Sequence, residues 1–178
     1  MKRAMMMGPV ALLALAGCVT DREKVELEPP TAAGDTIRFT AGRCFGACPA
    51  YTLTVTPDGS GLLEPERFTS VPGPTRFTVS AAQYRQLRTG LAPWKPATGT
   101  AKRIAQGENC TRFATDMPSY TIEWTRGDGK SGGKGAKPTR LDFQSGCMDS
   151  RYAKLRTTIG TIPKMLGIEP MLKPKPAS

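Results

Sequence analysis

The sequence predicts an α+β fold, a small antiparallel sheet with two helices packed on one face of a single domain. Short segments that alternate apolar and polar residues, separated by turn residues, are typical of half-buried strands. Two longer segments instead carry apolar residues at helical spacing. Strands and helices segregate along the chain rather than alternating regularly, which favours an antiparallel sheet over a parallel one.

The predicted strands have clear local signals. Residues 51–56 alternate polar and apolar side chains with β-branched residues, and Pro57-Asp58-Gly59 then supplies hairpin turn chemistry. Residues 75–79 form a short strand or the approach to a helix, and residues 97–118 show no periodicity and are expected to be irregular. The six strands are expected over residues 36–41, 51–56, 61–68, 75–79, 120–125 and 139–144.

The two helices differ in how well their ends are marked. Ser80 and Gln83 form a capping box for a helix over residues 81–91. A final helix is expected over residues 150–161, and Pro163 is predicted to end it because proline interrupts the helical hydrogen bonding.

The N-terminus has the pattern of an export signal. Lys2 and Arg3 precede an uncharged apolar run that ends in Leu15-Ala16-Gly17-Cys18. This ending resembles a bacterial lipobox, and the resemblance implies cleavage before Cys18 and lipidation of that cysteine. Residues 1–17 would then be the signal peptide. Val19, where an aspartate would signal retention, implies the outer membrane by the same resemblance.

The rest of the chain divides into a tether, a domain and a tail. Residues 18–35 hold the lipidated cysteine and a charged tether without apolar periodicity, residues 36–168 form the α+β domain, and residues 169–178 are predicted to be a disordered tail. The formal net charge falls from +10 to +8 when Lys2 and Arg3 leave with the signal. A basic envelope protein favours anionic partners such as lipopolysaccharide or peptidoglycan, or another envelope protein, and nucleic acid is not expected.

Four cysteines remain besides Cys18, and an even number in an oxidising compartment indicates two disulfides. Three pairings are possible, and the sequence favours Cys44–Cys48 with Cys110–Cys147. In the chain-entropy account the longer loop would contribute about 4 kcal/mol and the shorter one about 2 kcal/mol. The disulfide that closes the longer loop is expected to be structural, whereas the one that closes the shorter loop fixes a local turn or is reducible.

The shorter pair lies in the segment Cys44-Phe45-Gly46-Ala47-Cys48-Pro49-Ala50-Tyr51, which follows the first strand. Gly46 and Pro49 favour a turn over a helix. The segment resembles the C-[FY]-G-x-C-P-x-Y signature of a bacterial envelope family of unknown function whose members are often lipoproteins. Asp116-Met117-Pro118 is similar to that family's weaker second motif, and Cys110 and Cys147 lie outside the pattern. The resemblance covers roughly residues 36–165 and implies no activity.

Two other uses of Cys44 and Cys48 stay open. The C-x-x-x-C-P spacing also resembles copper-delivery proteins of cytochrome oxidase assembly, in which a histidine completes the site, and Met117 or Met148 would have to replace it here. The pair could alternatively be redox-active. The chain contains no histidine, which removes the common histidine-dependent hydrolases, transpeptidases and metalloproteases. We therefore expect no enzyme, no cofactor and no metal.

One further segment is a candidate binding site. The predicted hairpin between the last two strands is basic, and it contains a single acid, Asp128. It is either a solvated loop or a contact for anionic envelope groups. The sequence therefore predicts an envelope lipoprotein acting as a non-catalytic binding or structural module, and the alternative is a periplasmic thiol redox or copper-handling protein. The basic residues of the candidate anion contact are Arg126, Lys130, Lys134, Lys137 and Arg140.

Overall fold

The computed structural model, which describes residues 34–126 and 138–173, contains a seven-stranded sheet with helices on one face. The α+β class predicted from the sequence is confirmed. The strands are β1 (Asp35–Ala41), β2 (Ala50–Val55), β3 (Ser60–Arg67), β4 (Thr75–Thr78), β5 (Ala101–Ile104), β6 (Ser119–Arg126) and β7 (Thr139–Gln144). The helices are α1 (Ala81–Leu91), α2 (Ala153–Met165) and α3 (Glu169–Leu172), with 3₁₀ turns at Ala92–Trp94 and Ser150–Tyr152.

The strand order is β4-β3-β2-β1-β6-β7-β5, so β1 lies at the centre. Every pair is antiparallel except β5 and β7, which are parallel. The sheet is therefore mostly antiparallel. The irregular structure expected throughout residues 97–118 is a correction, because β5 lies in this segment. Strand β5 has one buried side chain, Ile104, and so it lacks the apolar alternation by which a strand is recognised in a sequence.

The core lies between the sheet and the helices. Ile37, Phe39 and Ala41 of β1 are buried while the residues between them are more exposed, and the other central strands repeat this pattern. Leu87 of α1 and Leu155 of α2 belong to the same buried cluster. The opposite face of the sheet is mostly polar and includes the charged side chains of Arg38, Glu123 and Arg140, which agrees with the helices packing on one face only.

Helix α1 connects the two edge strands, β4 and β5, so it crosses the sheet. Its predicted capping box is present, because the Ser80 hydroxyl accepts a hydrogen bond from the Gln83 N–H and the Gln83 side chain accepts one from the Ser80 N–H. The Gln83 side-chain amide also donates to the Met165 carbonyl at 2.9 Å, which places the end of α2 beside the start of α1.

The predicted end of α2 is wrong, because Pro163 lies inside the helix and the helix continues to Met165. Proline removes only its own N–H, and the last turn closes through other donors. The N–H of Gly167 donates to the Lys164 carbonyl, and the N–H of Ile168 donates to the Pro163 carbonyl. Gly167 has φ +70°, so this glycine ends the helix in the left-handed conformation.

The C-terminal boundary of the domain also moves. Helix α3 follows Ile168, its Leu172 is buried, and the Ser70 N–H donates to the Met171 carbonyl at 3.0 Å. Residues 169–172 therefore belong to the folded domain and not to a disordered tail, since their apolar side chains and backbone contact the rest of the protein.

Several predictions lie outside the described residues. These are the signal peptide, the lipidated Cys18, nearly all of the tether, the loop lysines Lys130, Lys134 and Lys137, and the last five residues. Among residues 34–126 and 138–173, no helix is long and apolar enough to cross a membrane.

Candidate functional site

The strand registers divide the loops between two ends of the sheet. Asp35 at the start of β1 lies opposite Arg126 at the end of β6, and Trp124 lies opposite Thr139 at the start of β7; we call this the Asp35 end. The other end, which we call the Cys44 end, consists of residues 42–49, 66–74, 105–118 and 145–151. Both cysteine pairs and both motifs lie at the Cys44 end, whereas the basic hairpin begins and ends at the Asp35 end.

The motif Cys44–Pro49 forms an exposed turn between the two central strands β1 and β2. A disulfide joins Cys44 to Cys48, and both cysteines are only partly buried. Gly46 has φ +133°, a conformation that other residues rarely adopt, as its place in the turn predicts. The ring of Phe45, inside the disulfide-closed loop, is 87% exposed. The turn therefore presents an aromatic side chain to solvent.

The turn contacts the second motif directly. The Phe45 N–H donates a hydrogen bond to the Asp116 carbonyl at 3.1 Å. Asp116 has φ +68°, which aspartate tolerates better than most residues. The Pro118 carbonyl accepts two hydrogen bonds from Ser145, one from its N–H at 3.2 Å and one from its hydroxyl at 2.6 Å. The two motifs recognised in the sequence, residues 44–51 and residues 116–118, thus form one structure.

The second disulfide, Cys110–Cys147, fastens the loop that carries Asp116. Beside it, the Ala114 N–H donates to the Gly146 carbonyl at 2.8 Å and the Met148 N–H donates to the Arg112 carbonyl at 2.7 Å. The structure therefore contains the pairing that the sequence favoured. This disulfide holds residues 110–118 against the end of β7, and so it supports the Cys44–Cys48 turn indirectly.

Asp149 reinforces the same loop. Its buried carboxylate accepts hydrogen bonds from the N–H groups of Arg112 and Thr111 and from the Thr111 hydroxyl, at 2.9 to 3.3 Å. The backbone donors of Arg112 and Thr111 hold the pKa of Asp149 below its ordinary value, because they stabilise the charged form. The ionised carboxylate is thus part of the structural support.

Tyr51, the last residue of the first motif, has a structural position. It is buried beneath the turn, and its ring lies 6.2 Å from that of Phe39, which stacks on Tyr120 at 5.5 Å. Burial raises the pKa of the Tyr51 hydroxyl, with a smaller contribution from Tyr120. Tyr51 therefore belongs to the core below the exposed turn.

Large apolar side chains that are exposed in the described residues all lie at the Cys44 end. The sequence placed Phe45 and Met117 in motifs, considered Met117 and Met148 as substitute metal ligands, and placed Phe68 at the end of a predicted strand. Exposure of a loop residue depends on tertiary packing, and none of the four carried a sequence signal for it. They are Phe45 (87% exposed), Met117 (51%), Met148 (41%) and Phe68 (38%).

The arrangement of possible metal ligands does not favour a metal site at Cys44 and Cys48. Within the described residues, the one group of three cysteine or acidic side chains close enough to share an ion is Cys110, Cys147 and Asp149. Two of those ligands are joined in a disulfide, and Asp149 is occupied by backbone donors. A thiolate site would need both sulfurs reduced.

Two residues of the predicted anion contact, Arg126 and Arg140, lie in the described part of the chain, and they differ in their contacts. Arg126 is exposed at the end of β6. Arg140 instead bridges two carboxylates on the polar face of the sheet, at 3.0 Å from Glu123 and 2.8 Å from Asp142. Although burial opposes it, hydrogen bonds from Arg140 and Thr121 hold the pKa of Asp142 below its ordinary value. Because its charge is neutralised in this way, Arg140 is a poor anion contact.

Fold and site together define a small α+β domain with two disulfides at one end of an open sheet. The family described as "Domain of unknown function (DUF6438)" matches residues 35–133, more than half of the chain, and the chain belongs to this family. No curated protein and no solved structure matches it significantly. The family match includes the Cys44–Cys48 turn, Cys110 and Asp116, but it ends before β7 and Cys147.

Proposed function

We propose that this protein is a non-catalytic binding module of the bacterial cell envelope, anchored by a lipid on Cys18 and directed toward anionic envelope components by its Asp35 end. The observation that carries the proposal is the position of that end. The N-terminal segment enters the domain at Asp35, directly opposite Arg126, where the basic hairpin begins. The chain therefore continues toward the tether and toward the basic residues from the same end of the described domain.

This placement gives the basic residues a physical role. Residues 18–35 connect the proposed anchor to β1, so the Asp35 end is the part of the domain that is nearest to the anchor along the chain. Each lysine near an anionic surface contributes about 1 kcal/mol of attraction, and the attraction falls off within a Debye length. The contact would consist of Arg126, Lys130, Lys134 and Lys137, with Arg140 held by its carboxylates.

The anchor is tested by mass spectrometry of the chain extracted from bacterial membranes. The first residue should be Cys18, with a mass increase that corresponds to diacylglycerol and one further acyl chain. A Cys18→Ala variant should remain unprocessed. Recovery of the unmodified chain in the soluble periplasmic fraction would contradict the anchor, whatever the outcome for the anion contact.

The anion contact is tested with residues 19–178, because every buried core residue that the structure describes lies between Ile37 and Leu172. The variant Lys130→Gln/Lys134→Gln/Lys137→Gln should sediment less with phosphatidylglycerol-containing vesicles at low salt than the parent chain. The matched control removes three exposed charges from the helical region, at Lys154, Lys164 and Lys173. An equal loss of vesicle binding in both variants would show that only net charge matters and would exclude a hairpin contact.

A second candidate function, thiol redox chemistry, is favoured by one observation. Cys44 and Cys48 are partly exposed in a surface turn, where a reducing partner could reach them. If they are redox-active, this disulfide should equilibrate with a glutathione buffer while Cys110–Cys147 stays closed, and Cys44→Ser should leave the domain folded. Resistance of both disulfides to the buffer would leave the binding module as the remaining proposal.

A further inference from the structure

We infer that the Cys44 end is a self-association surface, through which two copies of this chain pair end to end around a two-fold axis. This surface is separate from the proposed anion contact, which lies at the opposite end of the sheet. The inference rests on the apolar side chains, charge balance and rigidity of the Cys44 end.

The composition of the Cys44 end is typical of a protein interface. The Cys44 end displays Phe45, Phe68, Met117 and Met148, and arginines contact two of these residues. Arg67 lies over the ring of Phe68 at 4.8 Å, and Arg112 donates to the Met148 carbonyl at 2.8 Å. No lysine occurs in residues 42–49, 66–74, 105–118 or 145–151. Aromatic residues, methionine and arginine are enriched in protein interfaces and lysine is depleted, so this surface fits a protein more closely than a membrane.

The charge of the Cys44 end differs from that of the rest of the chain. The whole chain carries a formal charge of +10, yet the Cys44 end has equal numbers of basic and acidic side chains. The excess positive charge therefore lies elsewhere on the molecule, and contact through those other regions would bring like charges together. The balanced set consists of Arg43, Arg67, Arg112 and Arg151 with Glu66, Glu108, Asp116 and Asp149.

The length of the strands favours two copies that meet through their Cys44 ends. Strands of six to eight residues are about 20–25 Å long, so pairing through the Cys44 ends places the Asp35 ends roughly 40–50 Å apart. Several Debye lengths then separate the positive regions at physiological ionic strength. Within one copy Arg43 already pairs with Glu66 and Arg151 with Asp149. Across a two-fold axis, Arg67 or Arg112 of one copy can pair with Asp116 of the other.

The Cys44 end is held rigidly by covalent and hydrogen bonds. The disulfide and the bond from the Phe45 N–H to the Asp116 carbonyl hold the turn, and Cys110–Cys147 holds the loop beneath it. Because the surface is ordered before binding, little further conformational entropy is lost when it is buried. An exposed aromatic residue on a fixed loop is the kind of anchor that dominates interface energies.

The test is sedimentation equilibrium of oxidised residues 19–178 over a wide concentration range. We expect a reversible monomer–dimer equilibrium in which the monomer fraction falls as the protein concentration rises. Phe45→Glu should weaken dimerisation by at least about tenfold, because it removes the anchor and places two like charges near the two-fold axis. Phe45 is so exposed that this variant should fold, and Met117→Glu provides a second, independent disruption.

The matched control is Thr157→Glu, which adds the same charge at an exposed position of α2. It should dimerise like the parent chain. A chain that remains monomeric at all concentrations would overturn the inference, and so would a dimer that persists in Phe45→Glu. Neither result depends on the anion contact, because no membrane or envelope component is present in the experiment.

Discussion

Gly146 shows how closely the loops of the Cys44 end are fitted together. Its carbonyl accepts the Ala114 N–H, and a Cβ added at this position would overlap the Ala114 carbonyl oxygen and crowd the ring of Phe113. Backbone atoms cannot move aside as a flexible side chain can. The absence of a side chain at Gly146 is therefore a condition for the close approach of the two loops.

We expect Gly146→Ala to lower the free energy of unfolding by roughly 1–3 kcal/mol, the usual cost of overpacking a buried position. The measurement is urea denaturation of the oxidised protein. Gly160→Ala is the control, since Gly160 lies within α2 and an added Cβ would meet nothing within 4 Å. That variant should gain roughly 0.5–1 kcal/mol from helix propensity. A similar response of the two variants would contradict the argument.

Asp149 makes the stability of the same region depend on pH. Its folded-state pKa is held below the unfolded value of about 3.9 by the N–H groups of Arg112 and Thr111. The stabilisation is therefore complete above that unfolded value and is lost as the pH falls through the folded pKa. Protonation would remove the charge that the two N–H groups stabilise.

Asp149→Asn tests this directly, because the amide keeps the shape of the side chain and does not titrate. We expect the variant to be less stable than the parent at neutral pH and to lose less stability on acidification below about pH 4. Thermal unfolding across that range measures both effects. If the two melting curves fall in parallel, the carboxylate does not provide this part of the acid sensitivity.

The two disulfides close loops of very different length. Cys110–Cys147 spans 37 positions and Cys44–Cys48 spans four. Chain entropy therefore assigns about 4 kcal/mol to the first and about 2 kcal/mol to the second. The first also connects the Asp116 loop to β7, whereas the second encloses only the exposed turn.

Replacing each pair with serine should reproduce this order. The variant lacking Cys110 and Cys147 should lose about 4 kcal/mol of unfolding free energy, and the variant lacking Cys44 and Cys48 about 2 kcal/mol. Urea denaturation of the two double variants measures the difference. The reverse order would indicate that the turn, and not the Asp116 loop, determines the stability of this end.

The elements that sequence reasoning found are those whose signal is local. The capping box at Ser80 and the alternation in β1 depend only on neighbouring residues, and the structure contains both. The elements that it missed depend on distant partners. Strand β5 exists because β7 pairs with it, and α2 continues past Pro163 because Gly167 and Ile168 supply donors for its last carbonyls.

In the candidate site, too, the sequence predicted the local features and not the contacts between distant segments. The cysteine spacing and Gly46 predicted a disulfide-closed turn, because turn chemistry is encoded in adjacent residues. The contact between Phe45 and Asp116 was not predictable, because nothing in either segment specifies the other. It arises from the pairing of β1 with β6, which brings the ends of the two strands together.

At the scale of the whole molecule, the fold extends beyond the family match. The match ends at residue 133, after β6, yet β7 lies between β6 and β5 in the sheet, and α2 covers the core. Without β7, strand β5 has no partner and Cys110 has no disulfide. Residues 35–133 alone therefore lack the interactions that complete the sheet.

We expect three truncations from the C-terminus to differ in stability. Residues 19–173 should be as stable as residues 19–178, because they keep α3 complete. Residues 19–168 should lose roughly 2 kcal/mol, since the buried Leu172 and the bonds from Ser70 to Pro170 and Met171 are removed. Residues 19–133 should not fold. Urea denaturation and near-ultraviolet circular dichroism distinguish these outcomes, and a cooperative transition in the shortest chain would show that β7 and α2 are additions to an independent domain.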